Sequence, residues 1–155
     1  MTQMYVRWEI VPIGEVVSPI KEPISPDLFH NIRCTIKIYP EFAEGLLGLE
    51  EGKDILVLFL FHLNIGKAPL LVHPRGDTSK PLRGVFATCS PTRPNSIGTN
   101  RCRLIALNGL DLDLVGLEAI DGTPVIDIKP FSCLDPHPLS YASLRPFPHS
   151  PSLAG

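Results

Sequence analysis

The apolar residues of this chain come in runs no longer than a β-strand, and that limits the folds it can adopt. The longest run, Ile55 to Phe61 in DILVLFLF, is bounded by turn residues and predicts a central buried strand. Arg7 to Val17 and Ile32 to Tyr39 are rich in β-branched residues, which also predicts strands. No run approaches the roughly 18 apolar residues of a membrane-spanning helix. We therefore expect one domain built mainly from strands, with no membrane segment.

Later segments complete a set of about seven strands. Gly84 to Thr88 predicts a strand, and Thr123 to Lys129 predicts the last one. Asn100 to Leu107 and Leu110 to Val115 predict a hairpin, because the Asn-Gly pair between them favours a type I′ turn. The stretch from His62 to Arg83 predicts a long irregular loop, of the kind that is usually functional or mobile.

The segment after Pro40, EFAEGLLGLEEG, predicts one short helix that its glycines end. Few long amphipathic periods remain, so we predict a mainly β fold over residues 1–131: a single closed or nearly closed β-barrel, which leaves few exposed strand edges. Residues 132–155 hold five prolines and five serines and predict a tail that is partly disordered or ordered only against a partner subunit. The N-terminal MTQMYVRWE lacks a signal-peptide pattern, so we expect a cytoplasmic protein.

The charge of the chain is unevenly distributed. Its net charge is −2, yet the segment from Lys67 to Arg103 contains seven basic residues and one acidic residue and is +6, which leaves −8 for the rest. A basic segment on an acidic protein can steer a polyanion to one face. The alternative is that these charges are scattered over the surface of a barrel.

The four cysteines lie far apart in the sequence. Cys34, Cys89, Cys102 and Cys133 form no C-x-x-C motif, so their spacing predicts neither a metal site nor a redox pair. We expect four free thiols, most of them buried.

The stretch GVFATCSPTRPNSIG, from Gly84 to Gly98, predicts a loop that is rigid before anything binds to it. Pro91 and Pro94 fix their own φ angles and restrict the residues before them. Asn95 suits the second central position of a turn, and Gly98 can supply a positive φ or a close backbone approach. A pre-ordered loop loses less entropy when it holds a ligand. Rigid proline-rich turns also occur simply to join strands, and the loop alone leaves both interpretations open.

This stretch resembles the G-x-F-A-T-R-S-P-x-R-P-N-x-I-G signature of the TrmO family, also called TsaA-like or YaeB-like. DGTPVIDIKPF, residues 121–131, resembles its second signature. IGEVVSPIKEP, residues 13–23, is similar to the opening motif of the family, and FLFH, residues 59–62, to its F-x-F-H strand end. The four blocks follow the order of the family and span most of the domain.

The resemblance implies a β-barrel methyltransferase that uses S-adenosylmethionine, is usually dimeric and acts on the anticodon stem-loop of tRNA. The reaction of the family methylates N6 of the threonylcarbamoyladenosine (t6A) at position 37 and gives m6t6A. The C-terminal domain of the longer members has no counterpart here, so we expect a minimal version. No G-x-G-x-x-G nucleotide loop is present, and GLLGLEEG does not follow a convincing strand. As with the cysteine spacing, we expect no metal.

The resemblance also implies the cofactor contacts, by matched position. They are Ser18, Pro19, Ile20, His62, Leu63, Cys89, Thr99, Gly116, Leu117 and Glu118. Cys89 stands where the family usually has arginine, which removes five hydrogen-bond donors and a fixed positive charge. This change puts in doubt either the affinity for the methionine carboxylate or the substrate preference.

For the chemistry, we expect Asp121 or His62 to take the proton from N6. In the rigid loop, we expect Arg93 to pair with a threonyl carboxylate or a phosphate and Asn95 to bond a base edge. Four further arginines would hold the phosphates of the anticodon stem: Arg75, Arg83, Arg101 and Arg103. Against these roles, His62 could be a histidine satisfied at a strand end, and the Asp121-Gly122 pair could simply form a turn.

Two alternatives to the tRNA methyltransferase stay open. One is a module that binds S-adenosylmethionine or RNA without catalysis, which the Cys89 change makes reasonable. The other is a methyltransferase that acts on a different nucleoside or a small molecule.

Overall fold

The computed structural model describes residues 6–134, and these form a mainly β domain, as predicted. Six of the eight strands form the barrel, and two short ones form a separate ribbon. The strands are β1 (Gly14–Val17), β2 (Arg33–Ile38), β3 (Asp54–Leu60), β4 (Leu71–Val72), β5 (Arg83–Gly84), β6 (Ile97–Asn108), β7 (Asp111–Val115) and β8 (Pro124–Pro130). Short 3₁₀ helices cover Pro26–Leu28, Pro40–Leu46, His62–Asn64, Pro74–Gly76, Val85–Ala87 and Phe131–Leu134.

The barrel is closed, with every neighbouring pair of strands antiparallel. Its strand order is β1-β2-β7-β6-β3-β8, and β8 pairs back onto β1. Closure leaves none of these six strands as a free edge, which confirms the predicted architecture. The predicted short helix is the 3₁₀ helix Pro40–Leu46, which begins at Pro40, where a missing N–H costs nothing. Residues 135–155 of the predicted tail lie outside the described residues, and the division into 1–131 and 132–155 stays a prediction.

The core is formed by the inward face of each barrel strand. In β3 the side chains of Ile55, Val57 and Phe59 are fully buried, whereas the residues between them are half-buried. The continuous apolar run therefore does mark a central strand, but one whose two faces differ in burial. The same inward face is built from Val16, Ile36, Leu104, Leu112, Leu114 and Val125, which are almost completely buried.

Two predicted strands are much shorter than expected. The segment Arg7 to Val17 forms a strand only over Gly14–Val17, because Pro12 has no N–H to donate and the residues before it lie exposed. The predicted strand Gly84 to Thr88 ends at Gly84. There the chain turns into a 3₁₀ helix, with the Thr88 N–H and hydroxyl both donating to the Val85 carbonyl at 3.1 and 2.9 Å.

The hairpin between β6 and β7 is present, but its turn is not the predicted type I′. Asn108 pairs with Asp111 in the ladder, so the two loop residues are Gly109 and Leu110. Gly109 has φ 64°, and Leu110 is not among the residues with positive φ. A type I′ turn needs positive φ at both positions, whereas glycine at the first position with a normal second residue is typical of type II′.

The antiparallel order gives the barrel two distinct ends. We call end A the end at which β1, β3 and β7 finish and β2, β6 and β8 begin, and end B the opposite one. At end A, Val17 pairs with Thr35, Ile97 pairs with Leu60, and Arg33 pairs with Val115. The loops that follow β1, β3 and β7, and those that precede β6 and β8, therefore all open at end A.

Gly98, at the start of β6, gives a test of this packing. A Cβ at this position would lie 2.5 Å from Phe59 Cε2 and 2.9 Å from Phe61 Cζ, and the Phe59 ring is buried in the core. We expect Gly98→Ala to lower the free energy of unfolding by about 1–3 kcal/mol, the usual cost of overpacking. Gly84→Ala, where a Cβ has no neighbour within 4 Å, is the control. Urea unfolding of both variants measures the difference, and equal stability of the two would contradict the packing described.

Candidate functional site at end A

The structure places the residues predicted to bind the cofactor at one end of the barrel. Ser18 to Ile20 follow β1, His62 and Leu63 follow β3, Gly116 to Glu118 follow β7, and Thr99 is the third residue of β6. All four segments belong to end A. Asp121 also lies there, just before β8. Segments that are far apart in sequence are thus brought to one face by strand pairing alone.

The loop after β1 is tied to the turn before β8. The Ser18 N–H donates to Asp121 Oδ1 at 2.9 Å, and the Asp121 N–H donates to the Ile20 carbonyl at 2.7 Å. The buried Ser18 hydroxyl accepts from the Ile20 N–H at 3.1 Å. Lys21 Nζ lies 2.8 Å from Asp121 Oδ2. Both oxygens of this carboxylate are therefore occupied within the protein.

These contacts stabilise the charged form of Asp121. The hydrogen bond from Lys21 and then the one from the Ser18 backbone hold the pKa of Asp121 below its ordinary value. The turn interpretation of Asp121-Gly122 also fits, because Gly122 has φ 73° and its N–H donates to the Val16 carbonyl at 2.7 Å. A carboxylate held in this way is a weak proton acceptor.

The segment after β7 is supported by a side chain that the sequence analysis missed. Asn100 Oδ1 accepts a hydrogen bond from the Glu118 N–H at 3.0 Å. Leu117 is buried in the core, so its backbone, rather than its side chain, is available to a ligand. The alternation of side chains along a strand could have indicated this role. Gly98 and Cys102 face inward, so Asn100, midway between them, is a polar residue on the inward face of β6.

His62 stands at the point where β3 leaves the barrel. It is half-buried, begins the 3₁₀ helix His62–Asn64, and its imidazole has no hydrogen-bond partner among residues 6–134. The neighbouring Phe61 N–H donates to the Ser96 carbonyl at 2.7 Å, which joins this segment to the rigid loop. None of the described residues therefore satisfies this histidine. Leu63 beside it is more than half exposed.

The rigid loop holds itself together through its own side chains. Arg93 Nη1 donates to the Thr88 carbonyl at 3.1 Å and lies 3.5 Å from the Ser90 carbonyl. The Ser96 N–H donates to the Arg93 carbonyl, which closes a turn with Pro94 and Asn95 at its centre. Asn95 is exposed at this turn, as is the thiol of Cys89 nearby.

Gly98 supplies the close approach that the sequence analysis considered, and not a positive φ. The positive φ in this loop belongs to Ser96, at 47°. Its buried hydroxyl lies within hydrogen-bond distance of the carbonyls of Asn64 and Arg93.

The four other predicted tRNA-binding arginines are not grouped together. Arg83 is exposed in β5 and its guanidinium has no partner among the described residues, whereas Arg75 lies 3.6 Å from Asp27. Arg101 and Arg103 lie in the middle of β6, where they flank Asp54 of β3, and Arg103 also pairs with Val115 of β7. These arginines therefore form separate contacts and not one basic cluster.

Asp54 binds its two arginines closely. Arg101 Nε donates to Asp54 Oδ2 at 2.6 Å, and the Arg101 guanidinium stacks over the Phe131 ring at 4.1 Å. Arg103 donates to the Gly52 carbonyl at 2.9 Å and pairs with Asp54 Oδ1. The Arg101 hydrogen bond, followed by the charges of both arginines, lowers the pKa of Asp54. A cavity of about 500 Å³ lies beside this cluster, and so at end B.

The described cysteines are free, as predicted, but they differ in burial. Cys34 and Cys102 are buried, and desolvation raises the pKa of each thiol to about 12. Cys89 is exposed, which differs from the expectation of mostly buried thiols, because it lies on the loop and not in a strand. Cys133 lies outside the residues whose side chains are described. Within residues 6–134, no group of three or more His, Cys, Asp or Glu could hold a metal ion. No helix in this range is long and apolar enough to cross a membrane.

Comparison with known proteins gives consistent matches. Residues 16–134 match the family model of the tRNA-methyltransferase O N-terminal domain. A probable S-adenosyl-L-methionine-binding protein of Pyrococcus abyssi is 41% identical over 124 residues, which cover 77% of this chain and 66% of that protein. The tRNA (adenine(37)-N6)-methyltransferase of Mus musculus is 37% identical over 130 residues, 77% of this chain and 30% of the mouse protein.

A solved structure has the same fold. The crystal structure of TrmO from Pseudomonas aeruginosa superimposes with a TM-score of 0.67 at 32% identity, covering 94% of this chain and 62% of that one. This chain therefore spans less than two thirds of the length of that structure and of the two relatives.

The Asn100 contact leads to a testable expectation. Asn100→Ala leaves the Glu118 N–H without its acceptor, so we expect a loss of about 1–3 kcal/mol in the free energy of unfolding, the cost of an unpaired donor. Asn100→Asp keeps an oxygen at this position and is expected to lose less. Urea unfolding measures both variants. If Asn100→Asp is as destabilised as Asn100→Ala, the acceptor is not what Asn100 contributes.

Proposed function

We propose, since this chain belongs to the tRNA-methyltransferase O N-terminal domain family, that it binds S-adenosylmethionine and transfers a methyl group to tRNA. The observation that carries this proposal is the assembly of four predicted cofactor segments at end A. Two of these segments are fixed by side-chain contacts to their backbones, from Asp121 to Ser18 and from Asn100 to Glu118. The names of the relatives, a binder of this cofactor and a tRNA methyltransferase, support the same activity.

The groups at end A fit the chemistry of this cofactor. The segments Ser18 to Ile20 and Gly116 to Leu117 offer mainly apolar side chains and backbone, which suit an adenine face and a ribose. The Glu118 carboxylate has no side-chain partner among the described residues and is placed to accept from a ribose hydroxyl or an ammonium group. Cys89 lies exposed where the family has arginine, so this loop offers the methionine carboxylate one positive charge fewer.

For the substrate, we propose N6 of the t6A nucleoside at position 37 of tRNA. The adenine(37)-N6 activity in the name of the mouse relative favours this atom. Arg93 donates to the Thr88 carbonyl through one terminal nitrogen. The other nitrogens of its guanidinium can bind a carboxylate or phosphate. Asn95 is exposed at the tip of the turn and suits a base edge. Arg83, which has no partner in the described part of the chain, suits a phosphate. Arg75, Arg101 and Arg103 would have to exchange an acidic partner for a phosphate.

The chain contributes positioning and a proton acceptor. The bound cofactor supplies a methyl group carried on a sulfonium sulfur. Once the methyl group is transferred, the sulfur is a neutral thioether. End A has to hold N6 in line at about 3–3.5 Å from that methyl group, and the rigid loop serves this alignment. The N6 proton needs an acceptor, and the contacts favour His62 over Asp121. The His62 imidazole has no hydrogen-bond partner within residues 6–134, whereas both oxygens of Asp121 are occupied.

We further propose that the chain acts in the cytoplasm as a homodimer, as the family resemblance implies. The surface of the segment after β3 is consistent with a partner, because it exposes large apolar side chains. Each of these is more than half exposed: Leu63, Ile65, Leu70, Leu71, Leu82 and Phe86.

A second candidate function is binding without catalysis. The exposed Cys89, in place of an arginine, favours it because the loop then lacks a fixed charge beside the cofactor. A methyltransferase that acts on another nucleoside or a small molecule would use the same end A but would not depend on phosphate contacts.

One assay separates these functions. Purified protein is incubated with methyl-labelled S-adenosylmethionine and tRNA that carries the threonylcarbamoyl group, with tRNA lacking that group as the control. We expect labelled m6t6A from the first tRNA alone, at a rate that falls steeply between about 50 and 200 mM salt, because phosphate contacts release counterions.

The other outcomes identify the alternatives. Cofactor binding with no labelled nucleoside from either tRNA indicates a binding module. Transfer to a free nucleoside with a flat salt response indicates a small substrate. Absence of cofactor binding would contradict the proposal as a whole.

A further inference from the structure

We infer that Asp121 is a positioning residue, which fixes the donor-binding loop Ser18 to Ile20 and does not take the substrate proton. The inference rests on the proposed function and assigns a role within the same site. It depends on two hydrogen bonds between the loop after β1 and the turn before β8, on one hydrogen bond within the loop, and on one ion pair. None of these contacts requires a ligand.

The loop and the turn are joined by hydrogen bonds in both directions. Asp121 accepts from the Ser18 N–H through its side chain and donates its own N–H to the Ile20 carbonyl. Two residues of the loop are therefore held at a single residue of the turn. The buried Ser18 hydroxyl then accepts from the Ile20 N–H, which fixes the backbone between them. With the φ of Pro19 set by its ring, the loop has little freedom left.

Lys21 holds the carboxylate in place from the other side. Its ammonium lies 2.8 Å from Asp121 Oδ2, while Oδ1 faces Ser18. An acceptor for the N6 proton needs an oxygen directed at the substrate. Here, one oxygen faces the backbone and the other faces a lysine that is itself mostly exposed. Proton transfer to Asp121 would break the ion pair with Lys21 and weaken the hydrogen bond from Ser18, so the donor-binding loop would loosen during the reaction.

The loop matters because transfer in line tolerates little misplacement. A shift of about 1 Å in a positioned reactant can lower a rate about a hundredfold. The Ser18 to Ile20 segment has few other supports, since Pro19 cannot donate a backbone hydrogen bond and its side chain is exposed. Asp121 thus sets how well the donor is bound and aligned, while His62 remains the proton acceptor.

The experiment compares two substitutions of Asp121. Asp121→Ala removes the acceptor of the Ser18 N–H, and we expect its Kd for S-adenosylmethionine, measured by calorimetry on the full chain, to rise about tenfold or more. Asp121→Asn keeps one carbonyl oxygen for Ser18 and loses the charge facing Lys21, so we expect a rise of about threefold or less. At saturating donor, Asp121→Asn should keep kcat within about threefold of the unsubstituted chain, with an unchanged pH profile.

The chain offers a matched control and a contrasting variant. Asp127, on β8, accepts from the Ile128 N–H at 2.9 Å and lies 2.5 Å from Lys129 Nζ, so Asp127→Asn removes a similar carboxylate whose two described contacts both lie within β8. It should leave both Kd and kcat unchanged. His62→Asn should lower kcat by about a hundredfold or more at saturating donor.

The results separate the two roles of Asp121. If Asp121→Asn lowers kcat about a hundredfold at saturating donor with an unchanged Kd, Asp121 is the proton acceptor and the inference is wrong. If the unsubstituted chain binds the donor and Asp121→Ala binds it equally well, the contacts are merely structural and the inference again fails. Absence of donor binding by the unsubstituted chain would overturn the proposed function together with it. Should Asp121→Ala not fold, Asp121→Asn and its pH profile still decide between the roles.

Discussion

The pairing of the first barrel strand with the last is the contact on which the candidate site depends. β1 and β8 share two paired positions, Gly14 with Val125 and Glu15 with Pro124. Gly14 has to be glycine, because a Cβ there would overlap the Lys37 carbonyl oxygen of the neighbouring strand. Beyond the ladder the pairing continues through Val16 and then through Asp121. The hydrogen bonds that close the barrel are thus continuous with those that shape the loop from Ser18 to Ile20.

The loops at end A share one means of support, in which a polar side chain binds the backbone of a segment near the site. Asp121 binds the Ser18 N–H, Asn100 binds the Glu118 N–H, and Arg93 binds the Thr88 carbonyl. Each contact fixes the backbone at one residue of the segment that it supports. A site formed mostly by backbone needs such support, because loops lack the ladder hydrogen bonds that hold strands.

Much of this could be predicted from the sequence, and the rest could not for physical reasons. The apolar run of β3 and the motifs predicted the closed barrel, and prolines predicted the rigid loop. The prediction that the strand continues beyond Gly84 to Thr88 was wrong. The Thr88 N–H and hydroxyl both donate to the Val85 carbonyl, and these hydrogen bonds turn the chain into a 3₁₀ helix. Lys21 and Asn100 were missed because their contacts join residues that are 100 and 18 positions apart. Likewise, Arg101 and Arg103 looked free in a basic segment, but Asp54 pairs with them across β3 and β6.

The central claim is that end A, and not the cavity beside Asp54, receives the methyl donor. A crystal structure of the chain with S-adenosylhomocysteine, the product that remains after transfer, tests this most directly. The account predicts that the ligand contacts Ser18 to Ile20 and Gly116 to Glu118, with its sulfur facing His62 and the rigid loop. A ligand lodged in the cavity of about 500 Å³ at end B would contradict it.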